Sequence, residues 1–178
     1  MSAIRVEAQL SQIGEHTLVH LPKEASAGLP SRGVTMVEGT LNGAPIKTVL
    51  EPDGKKSHWL NVDKGMLKAA GAQVGDRVTL EVESCKDWIE PEVPADLKAA
   101  LEATPDAYAT WLDTTPMARW DWVRWMRATK SAATRAKRIA NACDMLSGGK
   151  RRVCCFDRAQ CTEPAVSKSG VLLDDAIL

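Results

Sequence analysis

Several residue types and patterns are scarce in this sequence, and each absence removes a class of protein. Among 178 residues there are three histidines, one tyrosine and one phenylalanine, and the formal net charge is zero. No apolar stretch approaches the roughly 20 residues needed to cross a bilayer. The opening residues, Met1-Ser-Ala-Ile-Arg-Val-Glu-Ala8, lack the basic-then-apolar order of a secretory leader, so secretion is not expected. No phosphate-cradling glycine loop, nucleophile elbow, metalloprotease helix or paired-carboxylate signature occurs, so no catalytic motif points to an enzyme. The five cysteines are odd in number and two are adjacent, which fits free thiols in a reducing cytoplasm better than a disulfide framework.

What is present is ordinary in amount and uneven in placement. Hydrophobic residues make up 44% and charged residues 26%, which suits a globular chain able to form two modest modules. Residues 1–116 carry 11 Lys/Arg against 17 Asp/Glu, whereas residues 117–158 carry 11 against 3. An acidic front is therefore joined to a basic segment that could pair with it, with a partner or with a polyanion.

The front half has the period of two that strands require. Ile4-Arg-Val-Glu-Ala-Gln-Leu10 alternates, Gly14 interrupts, and His16-Thr-Leu-Val-His-Leu21 resumes until Pro22. Val34–Leu41 and Ala44–Leu50 flank Asn42-Gly43, which predicts a hairpin with a type I′ turn. Ser57–Asn61 and Arg77–Glu83 supply two further strands, with a short helix between them that Asp63 starts and Gly71 ends. The expected fold class is α+β: a small closed or nearly closed six-stranded β-barrel, which removes sheet edges, followed by a C-terminal helical module.

The expected boundaries are residues 1–90 for the barrel, 91–152 for the helical module and 153–178 for a cysteine-containing tail. Ile89-Glu-Pro-Glu-Val-Pro94 marks the seam, because each proline turns its predecessor away from helix. Beyond it, helices are predicted over 96–103, 106–112, 116–129 and 132–147. Thr115-Pro116 caps the third, and Gly148-Gly149 ends the fourth. At 100° per residue, Ala118, Trp122, Trp125, Met126 and Thr129 form one core stripe, and Ala136, Ile139, Ala140, Cys143 and Leu146 form another.

Trp120 falls on the opposite side from the first stripe, near Arg124 and Arg127. Together with Arg119, Arg135 and Arg138 these residues are the candidate binding surface, able in principle to hold phosphates and stack a base. The plainer expectation is that the tryptophans are core and the arginines solvated or paired. Cys154, Cys155 and Cys161 lie within eight positions beside basic residues, which would favour thiolates for metal ligation or redox chemistry. Adjacent cysteines suit a tetrahedral site poorly, so free structural thiols are expected and no cofactor is called for. His16 and His20 share a strand face about 13 Å apart, too far to hold one metal. Asp53, Asp63 and Asp76 sit at turns, where carboxylates bind backbone amides.

His20-Leu-Pro-Lys-Glu24, Leu29-Pro-Ser-Arg-Gly33, Glu38–Gly43 and Val74-Gly-Asp-Arg-Val78 resemble an uncharacterised bacterial and archaeal six-stranded barrel domain. Pro94–Leu101, Val123-Arg-Trp-Met126, Lys130 and Thr134–Ile139 resemble the YdeI/OmpD-associated, or bacteriocin-protection, helical family. The resemblance implies a non-enzymatic binding or adaptor role linked to protection from antimicrobial peptides or bacteriocins, with an unidentified protein partner or small ligand. It brings no catalytic residues. Nucleic-acid binding by the Trp/Arg helices and thiol or metal chemistry at the cysteines are the alternatives. The Leu-Pro-Lys and Val-Gly-Asp turns are more weakly similar to the swapped-hairpin barrels of AbrB-type DNA-binding regulators. Oligomeric state is not legible.

Overall fold

The computed structural model of the protein describes residues 3–154 and 156–173. The chain divides into two compact units. The first runs to Asp87 and takes in Arg158–Cys161 and the segment from Ala165; the second comprises Trp88–Asp157 and Thr162–Pro164.

The first unit is built on one curled sheet of seven strands. Its strands are β1 (Ile4–Gln9), β2 (Ser11–Ile13), β3 (His16–His20), β4 (Thr35–Leu41), β5 (Ala44–Pro52), β6 (His58–Asn61) and β7 (Arg77–Ser84), in the spatial order β1-β7-β4-β5-β6-β3-β2. All pairings are antiparallel. Short helices α1 (Lys23–Ser26) and α2 (Lys64–Ala70) lie in the connections.

The expectation of a closed or nearly closed six-stranded barrel is corrected on two points: there are seven strands, and the sheet is an open, curled half-barrel. The reason lies at Leu10. Its amide donates to the Asp76 carbonyl and its carbonyl accepts from the Gly75 amide, both at 2.8 Å. These bonds to the Val74-Gly-Asp76 turn hold a bend between β1 and β2. The half before Leu10 pairs with β7, and the half after it pairs with β3. Both free edges of the sheet thus belong to one bent segment. Gly14, expected as an interruption, is the first residue of a two-residue turn joining β2 to β3, at φ +59°.

Other local expectations rest on visible chemistry. Asn42 and Gly43 hold φ of +50° and +81° between β4 and β5. The Asp63 carboxylate accepts from the Met66 amide, and Gly71 ends α2 in the left-handed region. Val6, Val37, Leu41, Leu50, Leu60 and Leu80 form the sheet core, each burial contributing roughly 1.5–3 kcal/mol.

The second unit holds α3 (Ala95–Glu102), α4 (Pro105–Asp113), α5 (Pro116–Arg127) and α6 (Ala132–Ser147). The Thr115 hydroxyl accepts from the Ala118 amide, and Ser131 caps α6 in the same way through Thr134. Leu97, Leu101, Trp111, Trp122, Met126 and Leu146 pack its core, with Trp122 edge-on to Trp125. The predicted stripe of α6 is rotated. Ile139, Ala142, Cys143 and Leu146 are buried, whereas Ala136 and Ala140 are exposed, because alanine is small enough to serve either face. No helix among the described residues is long and apolar enough to cross a membrane.

Gly39 faces Val82 of β7 and Ile46 of β5, and a Cβ there would meet the Glu81 carbonyl oxygen at 1.9 Å. Gly43 has open space and needs only its positive φ. Gly39→Ala should therefore destabilise the protein by about 2–3 kcal/mol, against about 1 kcal/mol for Gly43→Ala. Paired thermal and urea denaturation checks the order; equal losses would contradict the close strand approach.

Candidate functional site

The segments around α1 build a buried polar chain in the sheet unit. β3 ends at His20, Pro22 leads into α1, and the Leu29–Gly33 loop runs on toward β4. The Ser26 hydroxyl lies 2.6 Å from His58 Nδ1, and His58 Nε2 lies 2.8 Å from the Gly33 carbonyl. A carbonyl can only accept, so Nε2 carries the proton and Nδ1 accepts from Ser26. Arg32 Nη1 in turn donates to the Ser26 hydroxyl at 3.0 Å and to the Lys56 carbonyl at 2.9 Å. Its Nη2 donates to the Ser26 and Leu29 carbonyls. Every donor in this chain points the same way, from arginine through serine and histidine to the Gly33 carbonyl.

A serine bonded to a histidine has the look of an activated nucleophile. Ser26 and His58 are, however, both 0% exposed, and the serine oxygen already accepts from Arg32. This arrangement locks the loop in place, and a substrate would have no path to it in this conformation.

A second pair lies at the end of β3. His20 Nε2 donates to Asp53 Oδ2 at 2.9 Å, while Asp53 Oδ1 accepts from the Lys55 and Ser57 amides at 2.6 and 2.9 Å. The Ser57 hydroxyl donates to the Leu21 carbonyl, closing the turn onto the strand. Burial pushes the Asp53 carboxyl up, but the His20 bond and the two amides more than offset this, leaving it below the ordinary carboxylate value. Asp53, Asp63 and Asp76 all accept backbone amides, as their turn positions suggested. His16 meets the Asn61 side chain at 3.3 Å.

The candidate arginines of the helical unit are largely committed to this unit's own groups. Arg119 makes two bonds to the Glu90 carboxylate at 2.6 and 2.8 Å and donates to the Trp111 and Thr114 carbonyls at the end of α4. Arg138 donates to the Trp125 and Ala128 carbonyls at the end of α5, with its guanidinium 5.5 Å from the Trp125 ring. Arg135 binds Asp96 at 2.6 and 3.0 Å, and this bond holds the Asp96 carboxyl below its usual value. Arg124 is 0% exposed and lies over the Phe156 ring, and Arg127 reaches the Thr162 hydroxyl at 3.5 Å. Trp120 is half-buried, its indole donating to the Ile89 carbonyl at 2.8 Å.

The candidate thiols are placed differently from one another. Cys154 is exposed in the helical unit, Cys161 is buried in the sheet unit, and Cys155 lies outside the described residues. No group of three or more His, Cys, Asp or Glu side chains placed to hold a metal ion occurs among the described residues.

Together these observations define an α+β protein whose curled sheet unit and helical unit are each held by guanidinium, carboxylate and main-chain bonds. Residues 6–82 match the family described as Domain of unknown function (DUF1905), and residues 90–149 match the family described as Bacteriocin-protection, YdeI or OmpD-Associated. The chain thus joins a DUF1905-like domain to a YdeI/OmpD-associated, bacteriocin-protection module. Comparison with curated proteins finds no similar one.

The Asp53 carboxyl titrates lower in the fold than in the unfolded chain, so its contribution is complete above the unfolded value near pH 4. It is lost as pH falls through the folded value. Urea unfolding followed from pH 6 to pH 2 should show stability falling in that window, and Asp53→Asn should flatten the fall. An unchanged acid slope in the variant would remove Asp53 from the account.

Proposed function

We propose that the protein is a non-enzymatic binding protein that takes up cationic peptides and so takes part in protection against bacteriocins or related antimicrobial peptides. The description of the family matched by residues 90–149 supplies the context. The observation that carries the reading is the outward face of β1, β7 and β4. Glu7, Glu38, Glu81 and Glu83 are all exposed there, and Glu38 stands directly opposite Glu83 in the ladder. Like charges in that position work against pairing. Lys47, opposite Glu38 on its other side, is drawn to Asp87 at 2.7 Å. Arg5 pairs with Glu81 and Glu7. A cationic peptide laid across Glu38 and Glu83 would relieve their repulsion and be steered by these two charges.

The bonds of Arg119, Arg135 and Arg138 to their own unit support a scaffold role for the helices over phosphate capture. Cys85 and Cys143, neither of which is joined in a disulfide, support a reducing, cytoplasmic setting.

Calorimetric titration with a Lys/Arg-rich amphipathic peptide should show binding that weakens as salt rises. The double variant Glu38→Gln/Glu83→Gln should lose about threefold to tenfold in affinity. A deletion strain should show greater sensitivity to such peptides in a growth challenge. Binding to labelled DNA or RNA with a steep salt slope, and none to the peptide, would reverse the assignment in favour of nucleic acid.

A further inference from the structure

A sheet packed on one face normally leaves polar side chains on the other. On β2, β3 and β6 the outward face departs from this. Ile13, Leu18 and Trp59 are buried there, and the residues that complete the cluster are Cys161, Val166 and Leu172 from the end of the chain. This C-terminal segment forms a small hairpin, β8 (Ser167–Lys168) and β9 (Val171–Leu172), turned by Ser169 and Gly170 at φ +53° and +79°. It is fastened by main-chain bonds. The Leu172 amide donates to the Asp53 carbonyl, and within the segment the Cys161 amide donates to the Gly170 carbonyl and the Leu173 amide to that of Val166, each at 2.8 Å. Its backbone also comes unusually near the sheet unit, since a Cβ at Gly54 would meet the Gly170 carbonyl oxygen at 2.1 Å.

One feature of this cover is unfavourable. Trp59 is 1% exposed, yet its indole N–H finds no acceptor among the described residues. A buried donor left without an acceptor weakens the closed arrangement.

We propose that the outward face of β2, β3 and β6 is a docking groove for an extended peptide, and that the chain's own C-terminal segment is a self-occupant which the peptide displaces. The segment shows what fits: aliphatic side chains in the places of Val166 and Leu172, a glycine crossing Gly54, and an amide for the Asp53 carbonyl. Residues 158–173 carry two cations, Arg158 and Lys168, against one anion, Glu163. Main-chain bonds then give affinity while the apolar positions give selectivity. Because the self-occupant is tethered at high effective concentration, a free peptide competes at a disadvantage set by the ratio of closed to open forms. This groove is a different surface from the acidic face of β1, β7 and β4 and does not depend on it.

The test uses a fluorescein-labelled peptide of the sequence 158–173, under reducing conditions, titrated into the full-length protein and into full-length Leu172→Asp, whose self-occupant is loosened. The variant should bind at least about tenfold more tightly than the natural chain. A peptide carrying Gly170→Val should lose that binding, and the Trp59 indole N–H resonance, assigned through Trp59→Phe, should shift when the unmodified peptide binds. Absence of binding to the folded variant, equal binding to both proteins, or an unmoved Trp59 resonance would each overturn the proposal. Leu172→Ala replaces the aspartate variant if the latter does not fold. Because the probe is the chain's own segment, failure here leaves the cationic-peptide reading standing, and failure of that reading leaves this one standing.

Discussion

Guanidinium groups bonded to main-chain carbonyls recur wherever this protein needs an irregular stretch of backbone held still. Arg32 gathers the Ser26, Leu29 and Lys56 carbonyls around α1, Arg119 takes those of Trp111 and Thr114, and Arg138 takes those of Trp125 and Ala128. The last carbonyls of a helix have no partner within it, so an arginine that supplies two donors satisfies them and fixes the exit of the chain at once. Lysine could not substitute simply, because its ammonium is a point charge without the planar fork that spans two acceptors. Arg119 and Arg138 are thereby turned toward the backbone of the helical unit, while Lys98, Lys130, Lys137, Lys150, Arg151 and Arg152 stay exposed.

The same constraint explains why strands and helices were legible and the polar locks were not. Alternation between Ile4 and Leu10, the Asn42-Gly43 turn, the Asp63 cap and the Thr115-Pro116 start are local signals, and each acts over a few residues. A carbonyl acceptor belongs to every residue alike, so nothing in the spacing of Arg32 or Arg138 discloses which carbonyl it will find. Arg124 looked like a surface cation by its helical angle, yet it is buried over Phe156, a residue far along the chain.

The departure from a closed barrel has a similar origin. Leu10 is the last residue of the Ile4–Leu10 alternation, and its two bonds to the Val74–Asp76 turn hold the bend between β1 and β2. Those partners lie more than sixty residues away, beyond the reach of any local pattern. The end of the chain was also obscure: Ser169-Gly170 is a turn signal, but the two-residue strands beside it are too short for a period to register.

The corner at Leu10 bears on how copies of the protein could meet. Ribbons of stacked molecules grow when each copy offers two remote, independent strand edges, one to accept a neighbour and one to present to the next. Here a single covalent bend supplies both edges, so an arriving strand on one side crowds the approach to the other. The two open edges thereby meet at one leucine, where the exposed charges of Arg5 and Glu7 on β1 also work against edge-to-edge pairing.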